Sequence, residues 1–290
     1  MTNPTLPAVR ARSELTAQVK AWKDKGIRVG FVPTMGALHD GHLSLVSTAL
    51  ESCERVVASI FVNPTQFAPH EDFDDYPRTE ESDRAKLKAA GADLAYIPSV
   101  EEMYPDGSVT NVRVEGLSDM LDGIYRPHFF YGVTTIVARL FLHVQPDVAV
   151  FGEKDYQQLQ IIRRMVRDLA FPIEVIGGPT IRDADGLAQS SRNAYLSKEQ
   201  RAAAPAIKQA LDAAAEALAK GARVDETLDT ACALIQNAGF GSIDYVSAIN
   251  PSDLSNLPLG PVQTGFEGRL LAAAWLGKTR LIDNIRFFRA

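Results

Sequence analysis

The chain has 290 residues, of which 46% are apolar and 23% charged, and its formal net charge is −6. This composition is typical of a globular protein of one or two domains, and the negative charge argues against a nucleic-acid partner, which needs a basic face. No run approaches the roughly 18 apolar residues of a membrane helix, and the N-terminus lacks the apolar core of a signal peptide. The two cysteines, Cys53 and Cys232, lack metal-type spacing, so we expect a cytoplasmic protein in a reducing compartment, with no membrane partner.

Strands and helices alternate along the first 180 residues. The apolar patterns predict helices at 13–25, 43–54, 80–90, 133–143 and 156–169, and strands at 29–32, 56–62, 94–97, 148–151 and 173–176. Such alternation is typical of a parallel sheet with helices on both faces. We therefore expect a Rossmann-like α/β domain over residues 1–180, with ligands bound beyond the carboxyl ends of its strands.

The composition changes after residue 180. An alanine-rich helix at 199–220 and a second helix at 225–237 are followed by strands at 244–249, 270–276 and 279–283. This order predicts a smaller C-terminal α+β domain over residues 181–290.

The segment PTMGALHDGH, residues 33–42, directly follows the first strand of the predicted α/β domain and leads into a helix. A helix N-terminus offers backbone N–H groups and a partial positive charge, which favour phosphate. His39 and His42 stand three residues apart there, with Gly41 between them. A metal-binding pair, or one packing and one solvated histidine, are the alternatives. The strand and the glycine favour a phosphate site.

Two further motifs follow strands of the same predicted sheet. In FVNPTQF, residues 61–67, the Gln66 amide can donate to a carboxylate or hydroxyl, whereas Asn63 is typical turn chemistry. In GEKDYQQ, residues 152–158, Lys154 opposes the helix dipole, which a bound anion would explain. A solvated surface lysine is the alternative. Asp155 can cap the helix, and Gln158, four residues after Lys154, can face the same cleft.

The loop at 182–193 combines hydroxyls with a guanidinium. Ser190, Ser191 and Arg192 follow Gly186 there, which suggests a mobile phosphate clamp; the alternative is a helix cap. Acidic runs at 72–75 and 80–83 could hold Mg²⁺, although a solvated loop and a helix N-terminus explain such runs more simply. Neither a Gly-x-x-x-x-Gly-Lys-Ser/Thr loop nor a Gly-x-Gly-x-x-Gly fingerprint occurs.

Together these motifs resemble those of the pantoate–β-alanine ligases of the nucleotidyltransferase superfamily. The resemblance runs from residue 29 to 284 and includes YPRT at 76–79, FGEKDYQQL at 151–159, DGLAQSSRN at 185–193 and AAWLGKTRLIDN at 273–284. Gln189 stands where the family more often has Met or Leu, and His128 is shifted by one residue from the family pattern, so it is assigned no role.

The resemblance implies a role for each matching residue. His42 would be the proton donor, with His39, Lys154 and Arg192 also catalytic, and Gln66 and Gln158 would bind pantoate, Gln66 lying near β-alanine as well. Asp83 would be a metal partner. The ATP-binding set would be Met35, Gly36, Ala37, Leu38, His39, Asp40, Gly41, His42, Gly152, Glu153, Lys154, Asp155, Ile181, Gln189, Ser190, Ser191 and Arg192.

The resemblance also implies a reaction. ATP, with Mg²⁺, would activate pantoate as an enzyme-bound adenylate, and β-alanine would then displace AMP; a homodimer is implied too. The residues agree, because the chain shows no reactive-cysteine setting and no nucleophile-elbow serine, so catalysis would rest on positioning and charge stabilisation. Activation of a different acid by a related nucleotidyltransferase, and a nucleotide-binding protein without turnover, are the two alternatives.

Overall fold

The computed structural model describes residues 5–67, 73–74 and 76–290. The chain divides into two compact units. The first comprises Met1–Asp119, Arg126–Glu153 and Gln158–Pro179, and the second comprises Met120–Tyr125, Lys154–Gln157 and Thr180–Ala290. A single boundary at residue 180 does not describe the two short segments that join the second unit.

The first unit contains a six-stranded sheet. Its strands are β1 (Ala8–Val9), β2 (Val29–Thr34), β3 (Arg55–Ile60), β4 (Leu94–Tyr96), β5 (Val148–Gly152) and β6 (Glu174–Gly178). Its helices, counting α5 and the start of α7 that join the second unit, are α1 (Arg12–Lys23), α2 (Asp40–Leu50), α3 (Glu80–Ala89), α4 (Val100–Met103), α5 (Asp122–Tyr125), α6 (Phe129–Val144) and α7 (Tyr156–Asp168). Neighbouring strands are parallel, in the order β1-β4-β3-β2-β5-β6.

Alternating side chains of the central strands feed two separate cores. Phe31 in β2 and Phe151 in β5 pack in a cluster with residues of α1, α6 and α7, whereas Val32 and Val150 pack with residues of α2 and α3. Successive side chains of a strand point to opposite faces, so both faces of this sheet are buried. The predicted α/β fold with helices on both faces is confirmed.

The second unit combines helices with an antiparallel sheet. Its remaining elements are α8 (Lys198–Ala203), α9 (Ala206–Ala219), α10 (Val224–Asn237), β7 (Ser242–Ile249), β8 (Glu267–Leu276) and β9 (Thr279–Phe288). The strands pair antiparallel in the order β7-β8-β9. One face of the sheet, with Leu270, Ala272 and Leu281, packs in a core with α9 and α10. This confirms the smaller α+β region.

Several helix boundaries differ from the sequence prediction; helix α6, for example, begins at Phe129 rather than at residue 133. The helix expected over 199–220 is two helices, because Pro205 at the N-cap of α9 lacks the N–H that a continuous helix needs. Helix α2 begins at Asp40 rather than at residue 43, with His39 as its N-cap. Within the part of the chain that the structure describes, no helix has the length and apolar character needed to cross a membrane.

Candidate active site

The candidate site of the first unit lies where the strand order reverses. From β2 the chain moves outward to β3 and β4, then returns to β5 on the other side of β2. In open parallel sheets, ligands bind outside the carboxyl ends of the strands at such a switch point. Thr34 and Ile60, the last residues of β2 and β3, are register partners, so the loops that follow them begin side by side.

The turn between β2 and α2 depends on left-handed backbone. Gly36 has φ +88° and Ala37 has φ +52°. A Cβ on Gly36 would lie 3.1 Å from Asp83 Oδ2 and 3.2 Å from Ile60 Cγ2, so glycine serves both the backbone angle and the close approach. Ala37 carries a Cβ penalty in this conformation, which the surrounding contacts must offset.

The two histidines cap helix α2 and face each other. Their ring centroids are 4.1 Å apart. Gly41 N–H donates to His39 Nδ1 at 3.2 Å, and His39 N–H donates to His42 Nδ1 at 3.4 Å. A neutral imidazole that accepts at Nδ1 carries its proton on Nε2, so this hydrogen-bond pattern assigns an Nε2–H donor to each ring. Each ring of the turn is therefore an Nε2–H donor.

The backbone amides of the turn are directed at acceptors within the protein. Gly36 N–H donates to Thr34 Oγ1 at 3.2 Å, and His42 N–H donates to His39 O at 2.8 Å. Ala37 and Leu38 donate to Asp83. These four amides are paired within the protein, and the phosphate site expected at the start of helix α2 stays a prediction.

Asp83 holds the turn from helix α3. Its side chain is fully buried; Oδ2 accepts from Ala37 N–H at 2.9 Å and Oδ1 accepts from Leu38 N–H at 2.9 Å. Thr79 Oγ1 also donates to Oδ2, at 3.0 Å, and Lys86 Nζ donates to the Leu38 carbonyl at 2.7 Å. Both carboxylate oxygens accept from these donors, so Asp83 holds the turn, and its expected role as a metal partner stays a prediction.

The other acidic residues add no metal site to those parts of the chain that can be described. Residues 5–67, 73–74 and 76–290 contain no group of three or more His, Cys, Asp or Glu side chains able to hold a metal ion. Asp72 and Asp75 of the acidic run lie outside the described residues.

Gln66 joins the first two motifs. Its amide Nε2 donates to Met35 Sδ at 2.9 Å, and its Oε1 accepts from Asn63 Nδ2 at 3.1 Å. Asn63 also accepts from Thr65 N–H at 3.3 Å, which confirms the predicted turn chemistry. The amide of Gln66 is therefore held beside the β2–α2 turn.

Helix α6 and Tyr104 support the 3₁₀ turn Pro64–Gln66, which Asn63 caps. The Gly132 carbonyl accepts from Asn63 Nδ2 at 3.2 Å, and a Cβ on Gly132 would lie 2.5 Å from the Thr65 carbonyl oxygen. Tyr104 donates to Asn63 Oδ1 at 2.7 Å, and burial raises the pKa of this phenol, so it stays a donor. Glycine is required at 132 because the two backbones touch.

The candidate residues fall into two sets. The histidines, Gln66, Gln158, Gly152 and Glu153 belong to the first unit. Lys154, Asp155, Ile181 and the 189–192 segment belong to the second. Lys154 and Asp155 lie in a single 3₁₀ turn, Glu153–Asp155, directly before α7.

The loop that carries Ser190, Ser191 and Arg192 is fixed at its base. Arg182 forms a two-bond ion pair with the buried carboxylate of Asp283, at 2.6 and 2.8 Å. Arg201 contacts Asp183 at 2.9 Å and Asp185 at 2.5 Å, and it lowers the pKa of Asp185. These ion pairs hold residues 182–185 at the base of the loop. Any movement of a phosphate clamp would therefore involve the residues that follow, up to Arg192.

Within this loop, short hydrogen bonds set the positions of the candidate residues. Ser190 Oγ accepts from Arg192 N–H at 3.3 Å and caps the 3₁₀ turn Ser191–Tyr195, so the capping role considered from the sequence is present. Gln189 N–H donates to the Ile181 carbonyl at 2.9 Å. These bonds bring the Ile181 and Gln189 backbones together.

The fold and the two-histidine turn define a class: an α/β protein of nucleotide-binding type, with its site at the switch point of a parallel sheet. The family model "Pantoate-beta-alanine ligase" matches residues 8–286, and the chain belongs to this family. Pantothenate synthetase of Hyphomonas neptunium is 66% identical over 97% of this chain and 96% of its own length. That of Caulobacter vibrioides is 57% identical over 98% and 99%.

Solved structures of the same family have a similar fold. The pantothenate synthetase of Thermus thermophilus superposes with a TM-score of 0.91 and 48% identity, covering 98% of this chain and all of the other. The pantoate–β-alanine ligase of Francisella tularensis, complexed with β,γ ATP and β-alanine, has a TM-score of 0.80 and 31% identity over 97% of both chains.

Two features of these sites were missed from the sequence. The contacts of Asp83 with the turn span 45 and 46 residues and left no local signal. The Asp283-Asn284 pair did leave one, because two adjacent polar residues stand between the apolar pair Leu281-Ile282 and Ile285, and both prove to be buried.

Proposed function

We propose that this protein condenses pantoate with β-alanine at the expense of ATP, giving pantothenate, AMP and pyrophosphate. The observation that carries the proposal is the histidine pair, whose Nε2–H groups are assigned by backbone hydrogen bonds at the switch point of the sheet, beside the amide of Gln66. Membership of the pantoate–β-alanine ligase family supports it.

In the first step, a carboxylate oxygen of pantoate attacks the α-phosphorus of ATP. The bond from the α-phosphorus to the bridging oxygen breaks, and pyrophosphate leaves with its electron pair. Negative charge grows on the phosphoryl oxygens, where His42 Nε2–H and His39 Nε2–H donate and the ammonium of Lys154 adds positive charge. Arg192, with the hydroxyls of Ser190 and Ser191, closes on the departing pyrophosphate.

In the second step, the β-alanine amine attacks the acyl carbon of the bound adenylate. The carbon–oxygen bond to AMP breaks, AMP leaves with the electron pair, and the amine gives up one proton to solvent. No side chain needs to act as a covalent nucleophile, so the rate depends on holding the amine and the adenylate close together in the orientation that the reaction needs. The amides of Gln66 and Gln158 orient pantoate, and Gln66 also lies next to the attacking amine.

The remaining members of the proposed nucleotide site contribute shape. Met35, Gly36, Ala37, Leu38, Asp40 and Gly41 form the histidine turn, while Gly152, Glu153, Asp155, Ile181 and Gln189 surround the nucleoside. We assign Asp83 to holding the turn. Mg²⁺ would accompany the phosphates of ATP, as the family resemblance implies, and no step is assigned to it.

A reducing cytoplasmic location and a homodimer complete the proposal. The location is supported by the two free cysteines, Cys53 and Cys232. The homodimer rests on the family resemblance alone, and light scattering on the purified protein tests it.

The decisive experiment supplies ATP, pantoate and β-alanine, then measures AMP and pantothenate. ATP with pantoate alone should release about one pyrophosphate per active site, whereas ATP with β-alanine alone should release none. His42→Gln should abolish most of the turnover, and His128→Gln, in a residue assigned no role, is the matched control. Absence of AMP and pantothenate from the wild type refutes the proposal.

The same assay separates the alternatives. Pyrophosphate release with a different carboxylic acid, and none with pantoate, indicates a related nucleotidyltransferase of other specificity. ATP binding by calorimetry without turnover of any acid indicates a nucleotide-binding protein. Neither alternative requires Gln66 and Gln158 together.

A further inference from the structure

Lys154 is tethered through its backbone to strand β9. Asn284 Nδ2 donates to the Lys154 carbonyl at 2.8 Å, and both residues belong to the second unit. Asn284 is only 3% exposed. A buried side-chain amide that bonds a backbone carbonyl restricts that segment more than a solvated contact would, because loss of the bond leaves buried groups unpaired.

The orientation of the Asn284 amide is set at its other end. Arg269 Nε donates to Asn284 Oδ1 at 2.7 Å, and Arg269 is itself 4% exposed. The Arg269 guanidinium also lies 3.7 Å from the centroid of the Tyr156 ring, two residues after Lys154. The oxygen of the amide must therefore face Arg269, and its nitrogen must face Lys154.

The neighbouring residue in β9 holds the second candidate segment. Asp283 pairs with Arg182 through both oxygens, and its Oδ1 also accepts from Asn284 N–H at 2.7 Å. Arg182 Nη1 donates in turn to the Gly186 carbonyl at 3.0 Å, inside the loop that leads to Ser190 and Arg192. Two adjacent residues of one strand thus reach both the lysine turn and the base of this loop.

We propose that Asn284 is a positioning residue for Lys154, and that the Asp283-Asn284 pair fixes Lys154 and the loop at 182–192 to one rigid frame. This inference rests on the proposed function, because it gives Lys154 a role at the phosphates. Asn284 itself touches no reacting atom in this scheme. It acts by fixing the backbone from which the Lys154 ammonium extends.

Asn284→Asp isolates the contact. The variant has the same shape and keeps an oxygen for Arg269, but it turns a second acceptor toward the Lys154 carbonyl, so that bond is lost; it also adds a negative charge, which the Arg269 guanidinium faces. Turnover should fall about 10- to 100-fold, as for a catalytic group displaced by about 1 Å. The KM for pantoate should change less than about twofold, because Gln66 and Gln158 are untouched. Asn237→Asp, the same change at an exposed site of this unit, should match the wild type.

A double-mutant cycle tests whether the effect runs through the lysine. In a Lys154→Ala background, Asn284→Asp should change turnover less than about threefold, because the group that it positions is already absent. Fully multiplicative losses overturn the inference. So does an Asn284→Asp rate within about twofold of the wild type. If the aspartate variant does not fold, Asn284→Ala enters the same cycle and is judged by the same criteria.

Hydrogen exchange provides a readout that does not need the reaction. Amides of peptides covering residues 152–158 should exchange faster in Asn284→Asp than in the wild type, while peptides from α10 should be unchanged. Unchanged exchange at 152–158 overturns the inference. If residues 152–158 exchange faster in Asn284→Asp, as expected, but the wild type makes no pantothenate, only the proposed function is refuted.

Discussion

Asp83→Asn is the most informative change in the first unit, because it separates a positioning carboxylate from a metal ligand. Asp83 is fully buried, and its two oxygens accept from Ala37 N–H, Leu38 N–H and Thr79 Oγ1. Asparagine keeps one oxygen and points an NH₂ group at the other donors. One backbone N–H therefore loses its acceptor while remaining buried.

The magnitude follows from these bonds. A hydrogen bond to a charged group contributes about 1.5–3 kcal/mol, and an unsatisfied buried donor costs about 1–3 kcal/mol. We expect Asp83→Asn to lower the free energy of unfolding by about 3 kcal/mol, a loss that a domain of ordinary stability survives. Because Ala37 has a left-handed backbone that this carboxylate holds, the histidine pair should shift and turnover should fall about 10- to 100-fold.

Urea unfolding and steady-state kinetics measure the two effects on one preparation. Glu81→Gln, an exposed acid in the same first turn of α3 as Asp83, is the control and should change neither quantity beyond a few tenths of a kcal/mol. If a higher Mg²⁺ concentration restores the rate of Asp83→Asn, the carboxylate is a metal ligand and the reasoning fails. A variant as stable as the wild type would refute it as well.

Three further outcomes are expected. Lys154→Ala should lower turnover at least 100-fold, about 2.7 kcal/mol in the barrier, with an unchanged melting temperature; a near-normal rate removes Lys154 from the chemistry. Gly132→Ala should destabilise by about 1–3 kcal/mol and raise the KM for pantoate, because its Cβ would lie 2.5 Å from the Thr65 carbonyl oxygen and 2.8 Å from Gln66 Cα. Burial lowers the pKa of His143 to about 4, so the unfolded chain takes up the proton first as the pH falls below about 6.5. Stability should drop by up to about 2 kcal/mol between pH 7 and pH 5, and urea titrations should show a flatter profile for His143→Gln.

The parallel sheet could be predicted because its signal is local. Each central strand is a short apolar run whose alternate residues enter opposite cores, as Phe31 and Val32 do. The histidine turn and Gln66 were also predictable, since strand ends set their places. The start of α2 was not, because a histidine cap at His39 has no place among the usual capping residues.

Long-range contacts explain the features that were missed. Asp83 in the first turn of α3 has the sequence appearance of an acid that complements the helix dipole, and only the fold brings it to Ala37. The segment 154–157 joins the second unit although it follows a strand of the first. The pattern of apolar residues could not predict this, because Lys154 contacts Asn284 of β9, which is 130 residues away in the sequence.

The buried polar groups Asp283 and Asn284 of the second unit are explained by the groups that they hold in place, and not by the stability that they add. Asp283 has a fully buried side chain paired with Arg182, and a buried ion pair offers little net stability compared with apolar packing, since its attraction is spent on desolvation. An adenylating reaction without a covalent nucleophile gains its rate from groups held in register, and directional bonds hold them better than apolar contacts, which are non-directional. The Asp283-Asn284 pair is therefore best explained by the geometry that it imposes on Lys154 and the neighbouring loop.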